Sequence, residues 1–109
     1  MSLNRINPKR DQNEAELVAA LRDEGVVVTP LSGKGVPDLL CGYCGVYFLV
    51  EVKMPGCKFT PAQREYWEGS ILSHGLPSYV LRSPLDIERT FESLRKHYKE
   101  ARIQLLLEP

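Results

Sequence analysis

Glu51-Val52-Lys53 closes an apolar run, Val46 to Val50. Side chains alternate along a strand, so Glu51 and Lys53 share one face with Tyr47 and Leu49. Val46, Phe48, Val50 and Val52 share the other. An acid and a base at the end of so apolar a strand are costly unless they are paired or bind something. Thirteen positions upstream, Pro37-Asp38 opens a second apolar segment that ends at Cys41. Folding the two segments as a hairpin on Tyr43-Cys44, with Gly42 opposite Gly45, sets Asp38 opposite Leu49 and diagonal to Glu51. Diagonal neighbours lie roughly 7–8 Å apart at Cα, close enough for two carboxylates to converge on one cation. Opposed residues share a face, so Asp38, Glu51 and Lys53 point the same way unless a one-residue bulge breaks the parity.

Glu14 adds a further acid. It lies three, four and seven residues before Leu17, Val18 and Leu21, on the face of a helix directed at the sheet, whereas Glu16 is two positions round and more exposed. Two or three carboxylates with a lysine suit metal-assisted hydrolysis of a phosphodiester. Hard oxygen ligands hold Mg²⁺ and leave positions for water and phosphate. The metal lowers the pKa of bound water and offsets charge on the reacting phosphorus group, and the lysine orients the attacking water or stabilises that charge. An isolated Glu-x-Lys is more often a half-buried ion pair closing a strand; Gly35-Val36-Pro37-Asp38 and Glu14 shift the balance.

The elements that must position these groups follow from periodicity. Arg10 to Glu24 reads as a helix, with Ala15, Leu17, Val18, Ala20 and Leu21 as its apolar stripe and Gly25 as the stop. Val26 to Leu31, Asp38 to Cys41, Val46 to Lys53 and Ser78 to Arg82 read as strands, the third central because it is apolar on both faces. Thr60-Pro61-Ala62-Gln63 is a helix start with a capping box, and its helix is expected to run to about Ser73. Ser83-Pro84 repeats the pattern and opens a third helix reaching about Tyr98. The order is α-β-β-β-α-β-α, an α/β fold with a mixed central sheet flanked by helices.

Composition narrows the class. The chain has 109 residues, 43% hydrophobic and 26% charged, which fits one folded domain and excludes disordered and collagen-like chains. No apolar run reaches bilayer length, and the polar start MSLNRINPKRDQNE lacks a signal-peptide core, so a cytoplasmic, non-secreted protein with no membrane partner is expected. Three cysteines cannot pair completely, which fits a reducing compartment. Fourteen basic and fourteen acidic residues exclude a blanket polycation, but not a nuclease with acids in its metal site and bases around it.

The blocks RDQNEAELVAALRDEGV, SGKGVPDLL, GVYFLVEVKMPG and TPAQREYW carry a family resemblance. Pro37-Asp38 followed by Glu51-Val52-Lys53 resembles the PD-(D/E)xK nuclease motif, weak alone. The four blocks in order, over roughly residues 10 to 88, resemble the stand-alone VRR-NUC domains of phages and bacteria. The resemblance implies a restriction-endonuclease-like α-β-β-β-α-β core in a single domain over 1–109, with a C-terminal helix and tail from 89. It implies a divalent-metal endodeoxyribonuclease using Mg²⁺, with Mn²⁺ as a substitute and no small-molecule cofactor. Asp38 and Glu51 would be metal ligands, with the backbone carbonyl of Val52 and Glu14 as further candidates. Lys53 would be the catalytic lysine, Glu14 the helix-one acid and Gln63 the glutamine beside the site. NEAELV and SGKGVPD also resemble motifs of Holliday-junction resolvases, which implies a homodimer cutting branched DNA such as four-way junctions. The apolar tail Ala101 to Pro109 is the candidate interface. The alternatives are a flap-, nick- or end-processing nuclease working with a partner, and an inactive nucleic-acid-binding module.

Weaker signals surround this set. Lys34, Lys58 and Arg64 lie close in sequence to the motif and are candidate DNA contacts, although Ser32-Gly33-Lys34-Gly35 lacks the P-loop pattern. Arg5, Lys9 and Arg10 form another basic group. Cys41 and Cys44 imitate half a zinc site, but a second pair is missing and the same residues make a hairpin turn. His74 and His97, near helix ends, suit capping better than catalysis. Trp67 reads as core and Tyr66 as a site-edge residue.

Overall fold

A computed structural model describes residues 8–72 and 75–98, with side chains described for 13–69 and 75–98. The elements are α1 (Pro8–Asp23), β1 (Val27–Pro30), β2 (Leu39–Tyr43), β3 (Val46–Val52), α2 (Pro61–Tyr66), β4 (Ser78–Leu81) and α3 (Leu85–His97), in the expected order. The expected tail interface from Ala101, His74, and the side chains of Arg5, Lys9 and Arg10 lie outside the described residues.

The four strands form one mixed sheet in the order β1-β2-β3-β4. The first three pair antiparallel, and β4 joins β3 in parallel after the α2 crossover. Strand β3 thus has partners on both edges, as its two-sided apolar run required.

The hairpin turn lies one residue later than the sequence reading placed it. Tyr43 pairs with Val46, leaving Cys44-Gly45 as the two-residue turn. Both turn residues have positive φ, 52° and 82°, the type I′ signature that matches strand twist. Glycine at the second position makes that turn cheap, whereas Tyr43-Cys44 would force two bulky side chains into left-handed backbone. The slip moves every pair by two, so Leu39 faces Val50 and Asp38 comes beside Glu51 rather than diagonal to it. A shift of two preserves parity, and the carboxylates stay on one face.

That alternation divides the sheet. Val28, Leu39, Cys41, Phe48, Val50, Val52 and Leu81 turn to the face covered by α1 and α3, joining Leu17, Leu21, Ile87, Phe91 and Leu94 in the core. Aromatic contacts lock the α3 side: Tyr43 stacks on Phe91 at 4.6 Å, and Phe48 meets Tyr79 edge-on at 5.8 Å. Among the described side chains of α1, Leu17 and Leu21 are fully buried, with Val18 and Ala20 flanking them. Ala15 is exposed, contrary to the proposed stripe, because it lies on the far side of the helical wheel from Leu17.

Two helix boundaries also differ. The α-helical part of the second helix stops at Tyr66, and Trp67–Leu72 winds more widely as a π-helix. Gly69 and Ser70, poor helix formers, lie within that stretch. At α3 the Ser83 side chain provides no cap. Asp86 reaches back instead, its Oδ2 accepting from the backbone N–H groups of Arg82 at 2.8 Å and Ser83 at 3.3 Å. A carboxylate in the first turn is favoured by the helix dipole as well.

Cys41 is fully buried, and burial pushes its thiol up from 9.0 to about 12. The folded chain therefore holds this proton more tightly than the unfolded chain. The associated stability is fully present below pH 9.0 and is lost as pH rises towards about 12. Urea titrations of wild type and Cys41→Ala between pH 8 and 11 should show the wild-type advantage shrinking above pH 9, by at most about 1.4 kcal/mol per pH unit. A constant difference across that range would contradict the assignment. Cys44 is half-buried in the turn and Cys57 is exposed.

Candidate active site

Asp38 and Glu51 are the two buried acids of the described chain, 6% and 1% exposed. Each is carried there by its strand. Asp38 immediately precedes β2, and its Oδ2 accepts the Val52 backbone N–H at 2.8 Å, a charge-assisted bond that fastens the carboxylate to β3. The next peptide is held from the opposite edge, where Lys53 N–H donates to Leu81 O at 3.0 Å. Carbonyl and N–H of one trans peptide point in opposite directions, so the Val52 carbonyl is turned away from β4 towards the side occupied by Asp38.

Gln63 joins the acid to the base. Its Nε2 donates to Glu51 Oε2 at 2.7 Å, and its Oε1 accepts from Lys53 Nζ at 2.6 Å. The amide orientation is forced, because an ammonium only donates and a carboxylate only accepts. The same Oε1 accepts the Thr60 backbone N–H at 2.9 Å, completing the capping box with Gln63 N–H on Thr60 Oγ1. One side chain thus caps α2 and spans the end of β3, which a local reading of the capping box could not reveal. Lys53 Nζ stands 3.9 Å from Glu51 Oε2 and 5.7 Å from the centre of the Phe59 ring. Phe59 in turn packs on Trp67 at 5.1 Å.

Glu14 is half-buried on α1. Among the described residues, no group of three or more His, Cys, Asp or Glu side chains is disposed to hold a metal. Helix α1, which carries Glu14, packs on the core through Leu17 and Leu21. The oxygen set is two carboxylates and a backbone carbonyl. That set fits Mg²⁺, which is usually held by one or two carboxylates and keeps several waters.

Three residues passed over in the sequence support the lysine. Asn13 Nδ2 donates to Lys53 O at 3.1 Å. Arg82 Nη1 donates to Met54 O and Cys57 O, both at 2.9 Å, pinning the turn that follows β3. Phe59 shields one side of the ammonium. Only Asn13 left a trace in the sequence: it extends the Leu17–Leu21 stripe one turn back, and a polar residue on a core-facing stripe needs a partner.

Beside α2 runs an open groove of about 1630 Å³, walled by Lys34, Gly35, Phe59, Gln63 and Arg64. Lys34 and Arg64 come together there, while Lys58 is exposed but not part of its walls. Tyr66 also lines it. Gly35 seats the basic loop: its φ is 78°, and a Cβ there would lie 2.5 Å from the Ala62 carbonyl oxygen. Gly35→Ala should therefore lift the loop from α2 and cost about 1–3 kcal/mol, read as a lower urea midpoint. An unchanged midpoint would show that the loop is not seated this way. His97 Nδ1 lies 3.1 Å from Ser93 O in the last turn of α3.

No protein-family model and no curated protein matches the chain. A solved structure described as a "VRR_NUC domain" superposes on it with a TM-score of 0.61 and 27% sequence identity. The match covers 84% of this chain and 99% of that one.

Proposed function

Since the chain has the fold of a VRR-NUC nuclease domain, we propose that it is a divalent-metal-dependent DNA endonuclease selective for branched DNA. The observation that carries this reading is the buried Asp38–Glu51 pair bridged to Lys53 by Gln63. Asp38, Glu51 and the Val52 carbonyl would hold Mg²⁺, or Mn²⁺ in its place. When bound, the cation supplies Lewis-acid stabilisation of phosphate charge and a lowered water pKa.

The chain's own groups do the rest. Lys53 presents a fixed ammonium to the charge that develops on the phosphoryl oxygens, preorganised by Gln63 and partly desolvated by Phe59. Gln63 keeps Glu51 and Lys53 in register with each other. Lys34 and Arg64 attract the backbone into the groove beside α2. Lys34→Ala and Arg64→Ala are each expected to weaken DNA binding and to reduce the salt slope by about 1, with kcat little changed. Unaltered salt dependence would remove the groove from the interface.

One such site cuts one strand per encounter. A two-fold homodimer presents two opposed sites that match the symmetry of a four-way junction. The test is a panel of four-way junction, flap, nicked and linear duplex DNA at fixed salt, with sedimentation equilibrium at micromolar protein. The proposal expects a dimer that cuts the junction first. A monomer that cuts flaps faster would keep the nuclease and replace the junction substrate; binding without cleavage of any of them would replace the enzyme with a binding module.

A further inference from the structure

The lysine ends a strand, and strand ends fray unless something replaces the lost ladder. At Lys53 the sheet supplies one restraint, the N–H bond to Leu81 O. Strand β3 ends at Val52, so the Lys53 carbonyl lies beyond the last paired residue. Asn13 supplies the missing donor from α1, forty positions away in sequence, at 3.1 Å. A carbonyl can only accept, so the amide must present Nδ2, and its orientation is not in doubt.

From these contacts we propose that Asn13 is a positioning residue for Lys53. It fixes the direction in which the backbone leaves β3, and with it the base of the Lys53 side chain. Gln63 then fixes the tip, at Nζ. Held at both ends, the four-carbon stem loses the freedom that a strand-end lysine otherwise has, and its ammonium stays within 3.9 Å of Glu51 Oε2. Helix α1 is anchored independently by Leu17 and Leu21 in the core, so the Asn13 amide is held on a rigid element. Asn13 touches no reacting atom in this scheme. The inference rests on Lys53 acting as the charge-stabilising lysine, and it adds the group that aims it.

Asn13→Ala removes the donor, and Asn13→Asp removes it at nearly constant size. Each is expected to lower kcat by about 10–100-fold, the scale of a reacting group displaced by less than an ångström, with KM for DNA little changed. In a Lys53→Ala background the same substitutions should cost less than about twofold, because there is no ammonium left to aim. A second readout needs neither metal nor DNA. The Lys53 ammonium, bonded to Gln63, should give a protected ¹⁵N signal in the free protein, and Asn13→Ala should broaden or shift it. Loss of kcat confined to the protein that keeps Lys53, together with that spectral change, establishes the role. An equal loss in both backgrounds, or an unchanged ammonium signal, overturns it. If the wild type cleaves nothing, the nuclease reading fails by itself, and the ammonium signal still decides whether Asn13 positions Lys53.

Discussion

Asp38→Asn and Glu51→Gln are each expected to abolish DNA cleavage while leaving DNA binding intact or tighter. Both substitutions are nearly isosteric and spare the local bonds. Asparagine can still accept the Val52 N–H through its side-chain oxygen, and glutamine can still accept from Gln63. What goes is one negative charge from the site proposed to hold a divalent cation. Losing several kcal/mol of Lewis-acid stabilisation corresponds to about 10³-fold or more in rate. Binding improves because a carboxylate no longer faces the phosphates. Either variant turning over near the wild-type rate would show that the metal site has been misplaced.

Lys53→Ala carries the next largest effect, a fall of roughly 10²–10³ in kcat, typical of removing one preorganised donor from a transition state. Its side chain is 11% exposed and lies against Phe59, so truncation also removes packing. Lys53→Met separates the two contributions by keeping an unbranched apolar stem. Both variants should lose activity alike, with the methionine chain melting closer to wild type. A methionine variant that restored cleavage would assign the loss to packing and take the ammonium out of the chemistry.

The parts of this site that could be read in the sequence are those set by alternation and by local capping. Alternation put Asp38, Glu51 and Lys53 on one face, and it survived the misplaced turn because moving a two-residue loop by one position shifts pairs by two. The Thr60 capping box was equally legible, being a bond between neighbours. Long-range contacts were not. Asn13 and Lys53 are forty positions apart, and Arg82 meets Met54 and Cys57 across 28 and 25. No periodicity encodes such pairings; the packing of helices on the sheet creates them. For Glu14 the helical spacing is legible, but which face of the sheet α1 covers depends on the whole topology. Ser83 was misread for a more local reason. The helix begins one residue later, at Leu85 with Pro84 as its N-cap, and the Asp86 carboxylate turns back to the Arg82 and Ser83 N–H groups.

Nicking of supercoiled plasmid tests most directly whether this site cleaves phosphodiesters with a bound divalent cation. Wild type and Asp38→Asn would be incubated with plasmid in Mg²⁺, in Mn²⁺ and in EDTA. Wild type is expected to give nicked and linear products in either metal and none in EDTA, and Asp38→Asn none under any condition. Cleavage that persists in EDTA or in Asp38→Asn, or a wild-type protein inert in both metals, would contradict it.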